Sequence, residues 1–239
     1  MNFKKALKFL VIFLFIFGWV FSGWPRIWEN PPIPPKIQEA QAAVSYVGGQ
    51  VGSFAGKTGA TTVTFALNNG SAATPAAGDL VIVAYSVGST ADRALTIQNA
   101  SAVNYTLAGS ELYQNDTYDS NLQVAYRFMP ATPETQVVLS GTGSANDAGA
   151  YTIHVFRNVD SSTPLDVVAV TAGGINTRLP NPGSILPTTS GAWIYAAGGG
   201  AVGTGAVYTA SYLTDFRSLR QNDSNDAIVG AGYVTWSSG

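Results

Sequence analysis

Past Ala42, no window of a dozen residues holds a helical period of apolar positions without Gly or Pro cutting it; period two dominates instead. In Thr61 to Asn68, Val63, Phe65 and Leu67 share one face while Thr62 and Thr64 take the other. In Asn121 to Met129, Leu122, Val124, Tyr126 and Phe128 alternate with Gln123, Ala125 and Arg127. Such a chain builds sheets, because side chains two apart along a strand share a face.

Other runs are apolar on both faces, as strands in the middle of a packed structure are: Leu80 to Val87, Tyr151 to Phe156, Ala192 to Ala197 and Ala227 to Trp236. Weaker strands are expected at Ser45 to Val51, Leu95 to Asn99, Gln136 to Ser140, Leu165 to Val170 and Val207 to Leu213. Turn clusters such as NNGSAATPAAGD, QNDTYDSN and GTGSANDAG separate them. Ten or eleven short strands without crossover helices predict an all-β, antiparallel two-sheet β-sandwich of jelly-roll type. Two smaller sandwiches divided near residues 160 to 190 are the alternative.

Only 11% of the residues are charged, less than half the roughly 25% usual in soluble domains, so Ser, Thr, Asn, Gln and Gly must build the surface. After residue 42, seven basic residues stand against twelve acidic ones, a net charge near −5. That gives no footprint for phosphate backbones, so nucleic acid is not an expected partner. The absence of cysteine excludes disulfides, thiolate zinc sites and a cysteine nucleophile.

Residues 1–42 read as a separate signal or anchor segment. Lys4, Lys5 and Lys8 precede thirteen uninterrupted apolar residues, Phe9 to Phe21, a length that suits a signal peptide and falls short of the roughly 20 that span a bilayer. Ala40-Gln41-Ala42 is the small-residue cleavage site, with Val20-Phe21-Ser22 a closer and less typical one. Uncleaved, the segment is a membrane-anchoring helix with Trp19, Trp24 and Trp28 at the interface and Pro31 to Pro35 as a stalk. The expected location is therefore secreted or cell surface, with the membrane touched only through this segment.

GWPRIW, the Pro-rich piece and QEAQA together resemble leaders on secreted proteins of uncultured, small-genome bacteria, over about residues 7 to 42. The resemblance implies cleavage after Ala42. GDLVIVAYSV, AYRFMPATPET and YTIHVFRNVDSSTPLD, in that order, are similar to β-sandwich domains of uncharacterised bacterial secreted proteins and phage virion proteins, over about residues 78 to 236. In that set another strand usually follows a segment like GAGYVTWSSG. Truncation after the last strand, leaving it an unpaired edge, is therefore expected for residues 43–239.

Few residues offer chemistry. His154, the one histidine, lies within YTIHVF, and no G-x-S-x-G elbow accompanies it. Glu111 and Glu134, the only glutamates past residue 42, read as loop positions rather than a hydrolytic pair. Three Asn/Asp clusters each precede an apolar strand and offer Asp116, Asp119, Asp147, Asp223 and Asp226 as candidate calcium ligands, although their spacing matches no D-x-[DN]-x-[DN]-G loop. Apart from calcium, no cofactor is expected. Tyr113, Tyr118, Tyr208 and Tyr212 flank the clusters as a candidate platform for sugar rings. The expected function is a non-enzymatic binding or structural module whose partners are surface glycans or other extracellular proteins. A secreted glycan-active hydrolase is the rival, and a subunit of a fibre, envelope or virion-like assembly is a third reading.

Overall fold

By backbone contacts the chain divides into two units, Met1–Gln41 and Ala42–Gly239. The computed structural model describes residues 42–239 apart from 57, 115–118, 174–182, 202–206, 222–224 and 238–239. The expected N-terminal helix lies outside the described residues. Those residues form no helix, so none long and apolar enough to cross a membrane occurs among them.

Twelve strands are described: β1 (Ser45–Phe54), β2 (Thr61–Thr64), β3 (Leu80–Gly88), β4 (Thr96–Gln98), β5 (Thr106–Leu107), β6 (Leu112–Gln114), β7 (Ser120–Phe128), β8 (Gln136–Ser140), β9 (Ala148–Arg157), β10 (Trp193–Gly200), β11 (Thr214–Gln221) and β12 (Ala227–Thr235). All pair antiparallel, in three sheets: β1-β9-β3-β7-β5 with β6 also on β7, β2-β8-β4, and β10-β12-β11. The pairings of the first nine strands are nested. β1 pairs with β9, β2 with β8 and β3 with β7, as in a long antiparallel ribbon folded over on itself.

The first two sheets face each other across the main core, where Phe65, Ile97, Val137 and Leu139 of the smaller sheet region meet Val81, Val83, Tyr85 and Ile153 of the larger. Burying each large apolar side chain here contributes roughly 1.5–3 kcal/mol. Two short bridges join the rims of these sheets: Gly49 with Asn68, and Gln98 with Asn104. The third sheet covers the outer face of the first through small residues, among them Ala84, Ala148 and Ala150 against Ala227, Val229 and Ala231. The chain's two-faced apolar runs are thereby explained, since β3 and β9 lie in a sheet covered on both sides.

Several expectations are corrected. β12 is central in its sheet, with β10 and β11 on its flanks, so the last strand presents no unpaired edge. Leu165 to Val170 forms no strand; Val168 is 86% exposed, and Asp166 instead accepts hydrogen bonds from Thr188 and Thr189. Val207 to Leu213 also stays out of the sheet, and the polar stretch Thr214–Gln221 takes its place as β11. Periodicity misses β11 because Asp215 adopts a left-handed φ of 43° and the pairing with β12 shifts between Thr214 and Arg217.

Candidate functional site

The register brings the ends of four strands together. Gly88 of β3 pairs with Ser120 of β7 and with Ala148 of β9, so the loops before β7 and β9 meet the segment that follows β3. The loop before β12 joins them, because Asp147 bridges to Asn225, and Asn225 N–H donates to the Asn146 carbonyl at 3.1 Å. Parts of all three Asn/Asp clusters therefore converge.

A guanidinium sits at the centre of that convergence. Arg93 Nε lies 3.0 Å from Asp147 Oδ2 and donates to Ser89 Oγ at 2.8 Å, while Arg93 N–H donates to Asn121 Oδ1 at 2.9 Å. Fully buried Asp147 also accepts Gly143 N–H at 2.8 Å, Ser144 N–H at 3.1 Å and Asn225 Nδ2 at 3.3 Å. Burial pushes its carboxyl upward, but the Gly143 N–H, the Ser89 hydroxyl, Arg93 and Asn225 outweigh it and hold the group below the usual carboxylate range. Asp119 accepts Ser89 N–H through its carbonyl at 3.2 Å and the Tyr113 hydroxyl through its carboxylate at 3.3 Å. Asp226 pairs with Arg220. Asp116 and Asp223 lie outside the described residues. Among the described residues, no three His, Asp or Glu groups stand together as a metal site.

The tyrosines have separate surroundings. Tyr208 lies over the glycines of the third sheet, its hydroxyl donating to the Gly199 carbonyl at 3.0 Å, and burial pushes that hydroxyl up to about 12. Tyr113 is half-buried in β6, Tyr212 is 73% exposed, and Tyr118 lies outside the described residues.

Between the first and third sheets lies a polar network that no motif announced. His154 is fully buried, its Nδ1 3.2 Å from the Tyr195 hydroxyl and its Nε2 3.1 Å from the Asp215 carbonyl. Since a carbonyl only accepts, Nε2 carries the proton and Nδ1 accepts from Tyr195. Asp215 receives Arg217 through two contacts, at 2.7 and 3.1 Å, together with the Tyr46 hydroxyl. Burial pushes the imidazole down to about 4, against the pull of the Asp215 carbonyl and carboxylate, with Arg217 adding to the depression. A neutral, sealed imidazole with both nitrogens engaged has no route to a substrate's proton.

The two glutamates are also occupied. Glu111 accepts Leu95 N–H at 3.1 and 3.3 Å, and Glu134 accepts Arg127 Nε at 2.9 Å and Asn99 Nδ2 at 2.7 Å. The signal that would have found both polar clusters is charge within a charge-poor chain: Arg93 beside an apolar strand, and Arg217 between Phe216 and Leu219. No protein-family model, curated protein or solved structure matches the chain.

Proposed function

We propose that this chain is an exported, non-enzymatic β-sandwich module of jelly-roll type that binds a partner, with surface glycans the leading class, or serves a structural role outside the cell. The carrying observation is the commitment of five described acids and the histidine to internal partners: Asp79 to Arg157, Asp147 to Arg93, Asp215 to Arg217, Asp226 to Arg220, Glu134 to Arg127, and His154 to Tyr195 and Asp215. These pairs favour a scaffold over a hydrolase, which needs free carboxylates about 5 to 9.5 Å apart. The nested pairs β1·β9, β2·β8 and β3·β7, with β3 beside β9 and β8 beside β4, support the jelly-roll order.

Export rests on the leader-like residues 1–42. Ala42 to Val44 precede β1 at the end where Ser45 pairs with Arg157, whereas the loops around Asp147 lie at the other end of β9. At about 3.3 Å per residue these two ends of the β-unit are roughly 30 Å apart. A glycan array probed with the protein from Ala43 onward, with and without calcium, tests the reading. Binding that Tyr212→Ala abolishes without lowering the melting temperature supports a site on the loop before β11, at the end of the sheets away from Asp147; no binding under either condition leaves only the structural role. N-terminal sequencing of the secreted product tests cleavage after Ala42.

An assembly role has one observation in its favour: β10, an edge strand of the third sheet, carries no charged residue among Trp193 to Gly200. Edge strands are usually blunted by charge or proline, so this one is open to strand addition. Concentration-dependent oligomers in light scattering are expected on this reading, and a strict monomer at high concentration removes it.

A further inference from the structure

The two apolar layers are unequal. Aromatic, leucine, isoleucine and valine side chains fill the space between the first two sheets, whereas the apolar contact between the first and third is mostly alanine. An alanine methyl contributes far less on burial than those larger groups. The third sheet is therefore held largely by Phe156 of β9, which meets Trp193 of β10 and Tyr233 of β12 edge-on at 5.2 and 5.1 Å, and by the polar network around His154.

The groups facing His154 are Tyr46 from β1, Tyr195 from β10, Asp215 and Arg217 from β11, and Tyr233 from β12. The sole anion among them, Asp215, already holds Arg217 and the Tyr46 hydroxyl. A second proton on the imidazole arrives at Nδ1, which faces a hydroxyl already acting as donor. It also creates a second cation beside the Arg217 guanidinium at a fully buried position, where the one nearby carboxylate, Asp215, is already shared, and burying a charge without its own counter-ion is strongly unfavourable.

We propose that this seam is an acid-labile joint: protonation of His154 releases the β10-β12-β11 sheet from the two-sheet body, which stays folded. The sign follows from linkage. A histidine held neutral in the fold contributes stability that is complete above its unfolded value of about 6.5 and is lost as pH falls toward about 4. The depressed carboxyls Asp147, Asp160 and Asp166 act in a lower window, below about pH 4. Burial raises Glu111, which gives it the opposite sign, and it hydrogen-bonds within the body.

Hydrogen exchange of the full chain at pH 7 and pH 5, corrected for intrinsic exchange rates, tests the joint. Amides of β12 are expected to lose about twentyfold in protection, while those of β2 and β8 keep theirs. Equal loss in β12 and β8, or none in β12, overturns the proposal. His154→Gln, which keeps an N–H donor and cannot be charged, should abolish the difference. Should that variant fail to fold, the wild type still decides: His154 is the chain's one histidine, so its ring proton signals need no assignment. Titration near pH 6.5 with β12 protection intact overturns the proposal, whereas a folded signal that stays neutral down to pH 5 upholds it.

Discussion

Arg217 and Asn68, 149 positions apart in the chain, form a two-point clasp: Arg217 Nη1 donates to Asn68 Oδ1 at 2.6 Å and Nη2 to the Asn68 carbonyl at 3.0 Å. The same guanidinium reaches Asp215 and the Tyr46 hydroxyl, so one side chain ties β1, the loop after β2 and β11 together.

Replacing Arg217 by Met leaves the Asp215 carboxylate and the Asn68 amide without their cation, and removal of one partner from a buried pair typically costs about 3–5 kcal/mol. Arg217→Lys should recover less than half of that, because an ammonium cannot span the fork that the guanidinium fills. Urea unfolding measures both; a loss below about 1 kcal/mol for Arg217→Met refutes the clasp.

Gly88 ends β3 where the loop before β12 crosses it. A Cβ built there lies 1.9 Å from the Asp226 carbonyl oxygen, which is backbone and cannot swing aside. Gly88→Ala should cost about 2–3 kcal/mol or more, the upper range of overpacking penalties. A thermal melt indistinguishable from the wild type would show that the loop before β12 is not seated there.

Tyr85 has the opposite sign. Its ring fills the main core beside Phe54, and its buried hydroxyl has no hydrogen-bond partner among the described residues. Tyr85→Phe removes an unmet polar group at almost constant shape and should stabilise by about 1 kcal/mol. A destabilisation of similar size would reveal a partner for that hydroxyl.

Asp147 sets the acid limit of the loop end. Its carboxyl is depressed in the fold, so its contribution is complete above the unfolded value of about 3.9 and is lost as pH falls below it. Asp147→Asn should lower stability at pH 7 and flatten the decline below pH 4, while leaving the change between pH 6.5 and 5 as in the wild type. Chemical denaturation across pH 3 to 7 separates the two windows.

Strands packed by alternation or by apolar runs were readable from the chain. The sequence span Gln136–Ser140 matches β8 to the residue, and Leu80 to Val87, Asn121 to Met129 and Ala227 to Trp236 lie within a residue or two of β3, β7 and β12. Such strands announce themselves because burial selects side chains at period two. β11 did not, since its inward position is an arginine whose partners lie 149 and 171 positions away, and local pattern carries no trace of so distant a pairing. The candidate site was half legible for the same reason. Asp147 and Asn225 are visible as turn residues, but their direct meeting beside Arg93 follows from the register of β3 with β9 and from the third sheet's position.

The nested order has a temporal consequence. Asn158, just beyond β9, donates to the carbonyl of Ala43, 115 positions back, so the outermost ribbon pair closes only after everything between has been made. Chains dominated by such distant pairings cross their rate-limiting barrier in milliseconds to seconds rather than microseconds. On the proposed export route, that delay keeps the polypeptide threadable while a narrow channel passes it.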